Sequence, residues 1–238
     1  MRRSTALLTT ALLAGAAALT APATAAQADP ACSVGVSGWS VVGRCTGLDP
    51  MQTWSVTANC YYWNADHTVQ FSRPAWGGLA IGDGTASASC GIGDSVWFPR
   101  IVMGATPPAG PTGQITGYAG KCVDVKGANT GNGTPVQIYD CNGTWAQKWR
   151  IGVDGTIRAL GKCMDVSGGG TGNATRVQIY DCNGTGAQQW QARPDGSLLN
   201  PQSGRCLDDL GFSTANGNQL GIWDCNGYDN QKWNLPTA

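Results

Sequence analysis

Glutamate is missing altogether. All fifteen acidic residues are aspartates, and fifteen lysines and arginines balance them to a formal net charge of zero. No basic run follows the first residues, so nothing electrostatic points to nucleic acid or to an anionic membrane surface, and partners are expected to be neutral or nearly so. Histidine is reduced to His67, and no C-x-x-C or Cys/His spacing occurs. Metal ligation therefore lacks its usual residues, and neither a metal nor a cofactor is expected. Helix formers are scarce beside thirty-five glycines. Glycoside hydrolysis needs two carboxylates flanking the scissile bond, yet in the first hundred residues Asp49, Asp66, Asp83 and Asp94 stand mostly in turn contexts such as "LDP", "NAD" and "GDG". His67 has no serine or cysteine nucleophile context. An enzyme is not expected.

What is present begins with Met1-Arg2-Arg3, an apolar run from Ala6 to Ala18 and small-residue sites at Ala23-Thr24-Ala25 and Ala26-Gln27-Ala28. Residues 1–28 read as a secretory signal peptide. The run is too short to span a bilayer, Pro22 follows it closely, and no later segment is apolar enough to insert. Ten cysteines in an exported chain imply an oxidising compartment and up to five disulfides, so the protein is expected to be secreted and extracellular. Ten tryptophans and many short alternating segments predict an all-β protein.

One sentence is written nearly three times. "VQIYDCNGT" at Val136–Thr144 returns at Val177–Thr185, and Leu220–Tyr228 reads "LGIWDCNGY". Cys122, Cys163 and Cys206 lie 41 and then 43 residues apart, and Cys141, Cys182 and Cys225 repeat the intervals. Gln147-Lys148-Trp149, Gln188-Gln189-Trp190 and Gln231-Lys232-Trp233 do the same. Each unit reads as short strands, about Thr116 to Ala119, "KCVDV", "VQIYDC" and "QKWRI", with Gly/Asn-rich turns between them. One unit cannot bury its own apolar face, so three must share a core.

Three repeats of C-x-D, Q-x-[YW]-x-C and Q-x-W resemble the ricin B-type lectins, the family 13 carbohydrate-binding modules, over roughly Gly113 to Pro236. The resemblance implies a C-terminal β-trefoil with the three Gln-x-Trp tryptophans in its core. It also implies the pairs Cys122 with Cys141, Cys163 with Cys182 and Cys206 with Cys225, and it makes carbohydrate the expected partner.

A neutral sugar presents hydroxyls in fixed directions and an apolar face, so a site needs an acceptor, an aromatic plate and amides. The first repeat offers Asp124, Tyr139, Gln137 and Gln147; the second offers Asp165, Tyr180, Gln178 and Gln188; the third offers Asp208, Trp223 and Gln231. Gly221 stands where the others have glutamine. In the family an asparagine before Gln-x-Trp commonly touches the sugar. Here that position holds Ala146, Ala187 and, in the third repeat only, Asn230. The aspartates can instead pin the loop after their strands; the resemblance weighs for ligand binding. Asp140, Asp181 and Asp224 read as structural or solvated, and Asn142, Asn183 and Asn226 as turn residues.

Residues 104–112, with the Pro/Gly-rich "GATPPAGPTG", read as a linker, leaving a trefoil at 113–238 and a front domain at 29–103. In "TWSVTANC" Trp54, Val56, Ala58 and Cys60 share one face, and "GWSVVGRC", "HTVQF", "TASASC" and "SVWFPRIV" read as further strands. A small disulfide-bonded β-sandwich follows. Its four cysteines allow three pairings, of which Cys32 with Cys45 and Cys60 with Cys90 close local loops. The reading as a whole is a secreted, monomeric, non-catalytic carbohydrate-binding protein. Two alternatives stand beside it: a very small or accessory polysaccharide hydrolase, and a protein-interaction or inhibitor module anchored on Tyr61, Tyr62 and Trp63.

Overall fold

The computed structural model describes residues 30–237, so the predicted signal peptide lies outside the described residues. The front half is a two-sheet sandwich. β1 (Ala31–Ser37), β2 (Ser40–Thr46) and β6 (Gly84–Ser89) form one sheet in the order β1-β2-β6; in the other, β3 (Thr53–Trp63) pairs with β4 (Gln70–Trp76), β5 (Ala80–Ile81) and β7 (Ser95–Met103). The alternation of β3 works as the sequence implies: Trp54, Val56, Ala58 and Cys60 are buried against Val41, Cys45 and Ala88 of the facing sheet. Disulfides Cys32–Cys45 and Cys60–Cys90 staple this small core. β1 is absent from the sequence reading because its side chains are almost all exposed and carry no core periodicity.

The C-terminal half is built from eleven short strands. β8 (Thr112–Gly113), β9 (Cys122–Val125), β10 (Thr134–Tyr139) and β11 (Trp149–Ile151) belong to the first repeat; β12 (Ile157–Ala159), β13 (Lys162–Val166), β14 (Thr175–Tyr180) and β15 (Gln191–Ala192) to the second; β16 (Leu198–Asn200), β17 (Arg205–Asp208) and β18 (Gly221–Trp223) to the third. Equivalent antiparallel hairpins β9–β10, β13–β14 and β17–β18 surround one core that holds Trp149, Trp190 and Trp233 with valines, isoleucines and leucines from all three repeats. This is the β-trefoil that the resemblance implies. Within-repeat disulfides close Cys122–Cys141, Cys163–Cys182 and Cys206–Cys225. Strand structure does not extend through Thr116 to Ala119: Tyr118–Gly120 is a 3-10 turn with Ala119 at φ 54 and Gly120 at φ 69, a left-handed pair that no strand accommodates.

The repeats are joined in a ring by side chains. Asn132 of the first repeat accepts from Asp181 N and donates to Asp181 Oδ2; Asn173 of the second does the same with Asp224, and Asn216 of the third with Asp140. Lys121, Lys162 and Arg205 pair with the same three aspartates, which are therefore structural.

Residues 108–111 do not run free. Ile151 N donates to Pro111 O and Val153 N to Ala109 O, laying the segment along β11. Arg150, buried, bridges the halves by donating from Nη1 to Asp49 Oδ2 at 2.8 Å and to Pro108 O at 3.2 Å, and Ile81 of the front half packs on the trefoil core.

Candidate functional site

The Gln-x-Trp motif explains itself once the strand bearing each aspartate is followed. Trp149 Nε1 donates to the carbonyl of Val123, Trp190 Nε1 to Met164 and Trp233 Nε1 to Leu207, in each case the residue before the candidate aspartate. Two residues earlier, the glutamine reaches the aspartate itself: Gln147 Nε2 donates to Asp124 Oδ2 at 3.1 Å, Gln188 to Asp165 at 3.0 Å and Gln231 to Asp208 at 2.7 Å. Tryptophan locks the strand and glutamine locks the carboxylate.

These glutamines are expected from the sequence as ligand contacts; in the structure their amides are turned inward. All three are fully buried. Each Nε2 also donates to the carbonyl before the second cysteine, and each Oε1 accepts from the backbone of Asn142, Asn183 or Asn226. With both Nε2 protons engaged inside and Oε1 holding a backbone N–H, they position the aspartate.

The other carboxylate oxygen is held by Gln137 Nε2 on Asp124 and by Gln178 Nε2 on Asp165, both at 2.9 Å. In the third repeat Asn230 Nδ2 takes this place on Asp208, at 3.0 Å. Asn230 thereby stands in for the missing glutamine. Gly221 faces Asp208 in the register where the others carry glutamine, and a Cβ there would lie 2.7 Å from Leu210 Cδ1 and 2.9 Å from Thr175 O. The two departures from the repeat are one exchange.

Asp124, Asp165 and Asp208 retain only 5, 5 and 3% exposure, yet each borders an open depression. A carboxylate accepts in about four directions, and two amides occupy two of them. Beside each lies a half-exposed aromatic: Tyr139, Tyr180 and Trp223, at 37, 38 and 40%. The depressions measure about 320, 420 and 570 Å³ from first to third. Burial holds the Asp124 and Asp208 carboxyls above the ordinary carboxylate range, against the opposing pull of their amide partners.

Several wall residues escape the sequence reading. Asn142, Asn183 and Asn226 do pin their turns, each Oδ1 accepting from the backbone two residues on, but they also line the depressions. Among the described residues their side-chain NH2 groups donate to no partner. Phe212 and Tyr228 wall the third depression, with Phe212 edge-on to Tyr118 at 5.6 Å and tilted to Tyr228 at 6.0 Å. Phe212 sits at φ 53 where the first repeat has Ala128 at φ 51 and the second Gly169 at φ 63, a backbone position costing a bulky residue about 1 kcal/mol. The signal available in the sequence was a bulky residue where the aligned repeats carry Ala128 and Gly169.

The front-half aspartates are engaged in holding structure. Asp49 accepts from Met51 N and Arg150, Asp83 from Leu48 N, Asp94 from Arg73 and Gly91 N, and Asp66 from Thr68. His67 lies in an exposed turn. Trp39, Trp63, Trp76, Trp97 and Phe98 are exposed on this half.

Comparison with known proteins bears on the trefoil half. The sequence profile of the Ricin-type beta-trefoil lectin domain matches residues 111–233. ThreeFoil, a designed 3-fold symmetric protein, superposes with a TM-score of 0.51 at 31% identity, covering 53% of this chain and 99% of that one. The ribosome-inactivating protein PMRIPt of Polygonatum multiflorum is 37% identical over 50 residues, 21% of this chain and 8% of that protein. Serine protease 1 of Rarobacter faecitabidus is 40% identical over 47 residues, 20% of this chain and 9% of that protein. The chain thus spans under a tenth of the length of either curated relative.

Proposed function

Because this chain belongs to the family of ricin-type beta-trefoil lectin domains, we propose that it is a secreted, monomeric, non-catalytic protein that binds polysaccharide or clustered glycans through up to three sites. One observation carries the reading: three equivalent depressions each place a buried aspartate, clamped by two amides and with acceptor directions to spare, beside an exposed aromatic ring. Sugar hydroxyls donate to the aspartate, the ring stacks on the apolar sugar face, and Asn142, Asn183 or Asn226 supplies a donor. A single shallow site of this kind binds weakly, on the order of 1 mM. Three on one scaffold gain through effective concentration on a polymer.

The site residues of this proposal are Asp124, Tyr139, Gln137 and Asn142; Asp165, Tyr180, Gln178 and Asn183; and Asp208, Trp223, Asn226, Phe212 and Tyr228. The third, the widest and richest in aromatic surface, is ranked tightest. Five disulfides support an extracellular location, and no helix among the described residues is long and apolar enough to cross a membrane. The domain limits proposed are 29–103 for the sandwich and 113–238 for the trefoil. The engagement of Asp49, Asp83 and Asp94 in backbone and arginine contacts supports a non-catalytic front half. Its exposed tryptophans favour one further reading, that this half supplies a binding surface of its own.

A glycan array on the mature protein tests the proposal, with reducing-sugar release measured on the polysaccharides it binds. Binding without turnover is expected. Turnover would revive the hydrolase reading, and an array without signal would remove the lectin reading.

A further inference from the structure

The threefold pattern is broken at one buried position next to the third aspartate. "CVDV" and "CMDV" place Val125 and Val166 in the core, fully buried; "CLDD" puts Asp209 in the same place, equally buried. A carboxyl in a valine's position is costly unless its oxygens are satisfied, and these are only half satisfied. Asp209 Oδ1 accepts from Asn218 Nδ2 at 2.6 Å, while Oδ2 is buried without a partner. Asn230 Oδ1 is also buried without one.

Asp209 is wired into the third site through its backbone. Its N–H donates to Asn230 O, its carbonyl accepts from Asn230 Nδ2 at 3.2 Å, and the same carbonyl accepts from Phe212 N. Asn230 clamps Asp208, and Phe212 walls the depression. The two residues that differ most from the other repeats are thus both tethered to the residue that replaces valine.

We propose that Asp209 is a positioning residue of the third site, holding the Asn230–Asp208 clamp in its neutral form and loosening it when ionised, so that this site alone tightens on mild acidification. The proposal rests on the reading of the depression as a glycan site.

A neutral carboxyl contributes one O–H donor to a buried cluster that has surplus acceptors, whereas a carboxylate adds a further acceptor and a second negative charge beside Asp208. Burial first, and the neighbouring Asp208 charge second, push the Asp209 carboxyl up to about 6, against the opposing Asn218 hydrogen bond. The turn Asp229–Gln231 presents Asn230 to it and the segment before β18 presents Asn218, neither of which titrates; Asp229 itself is exposed. Below the range where Asp208 also protonates, its acceptor is lost and binding falls, so the third site is strongest at mildly acid pH.

The test follows side-chain amide resonances of the intact 15N-labelled protein with pH, without sugar, so that failure of the lectin reading cannot mask the result. The Asn230 amide is expected to titrate with a midpoint of about 6, while those of Gln147 and Gln188 stay flat in that range. In Asp209→Val, and in Asp209→Asn should the valine variant misfold, the Asn230 titration is expected to disappear. A flat Asn230 resonance in the wild type, or an unchanged titration in both variants, would overturn the proposal. A second arm uses galactose as the probe on Asp124→Asn/Asp165→Asn, which leaves the third site alone. Its affinity is expected to rise about threefold from about pH 7.5 to about pH 5.5, and to be pH-independent there once Asp209→Asn is added. An affinity that falls over that range would equally overturn it; absence of galactose binding at both pH values counts against the lectin reading for this sugar and leaves the amide titration to decide.

Discussion

At the scale of single residues, each of the three aspartates is held by two amides, one of which in every repeat is the fully buried glutamine of the Gln-x-Trp motif. Gln188→Ala would strip Asp165 Oδ2, Asp181 O and Asn183 N of one partner at once. Leaving buried polar atoms unpaired costs about 1–3 kcal/mol apiece, so a urea midpoint well below that of the wild type is expected, with sugar affinity at the second site falling beyond what global unfolding explains. The pH response has a definite sign. Asp209 has a folded-state pKa above its unfolded value, so the stability it allows is present below about 3.8 and is lost as pH rises through about 6. Asp209→Val should therefore raise stability at neutral pH by about 3 kcal/mol and little at low pH, as denaturant midpoints at the two extremes would show. That each aspartate and its aromatic neighbour share one place in the repeat was legible because they recur at fixed spacing. The glutamines were legible as important but not as buried, since one amide serves equally well as ligand contact or clamp. That Gly221 and Asn230 fill one place could not be read at all: they lie nine residues apart and meet at Asp208 only through the strand register.

At the scale of elements, each repeat is tied to the next by an asparagine that satisfies both the backbone and the side chain of the aspartate before a second cysteine. The Gly/Asn-rich loops read from sequence as turns are these ties, and nothing local distinguishes a tying asparagine from a turn asparagine. Asn173→Ala removes two hydrogen bonds to Asp224 and a partner of Arg205. A loss of about 1–2 kcal/mol is expected, with hydrogen exchange accelerating first around Gly221–Trp223 while the hairpin of the first repeat keeps its protection. Strands with a buried face, such as β3, were readable from alternation. β1 was not, since an edge strand that buries nothing has no alternation to display.

At the scale of the whole molecule, the two halves share contacts that composition could not reveal, because a Pro/Gly-rich segment reads as a spacer whether or not it is docked. Asp49→Ala leaves the buried Arg150 guanidinium with Thr112 Oγ1 and Pro108 O but no counter-charge. A destabilisation of about 1–3 kcal/mol is expected, seen as a lower melting temperature of the intact chain. Residues 106–238 alone should likewise melt at a lower temperature yet keep glycan binding, because all three depressions are lined from the trefoil. Loss of binding in a truncated form that is still folded by circular dichroism would place part of the site in the front half. Glycan binding is expected to pass through the three clamped aspartates. Affinity electrophoresis of the wild type and of Asp124→Asn/Asp165→Asn/Asp208→Asn through gels containing polysaccharides bound on the array tests it most directly, since asparagine keeps the shape and removes the charged acceptor. Retardation of the wild type and free migration of a folded triple variant is expected; equal retardation of both would show that binding does not depend on the three carboxylates.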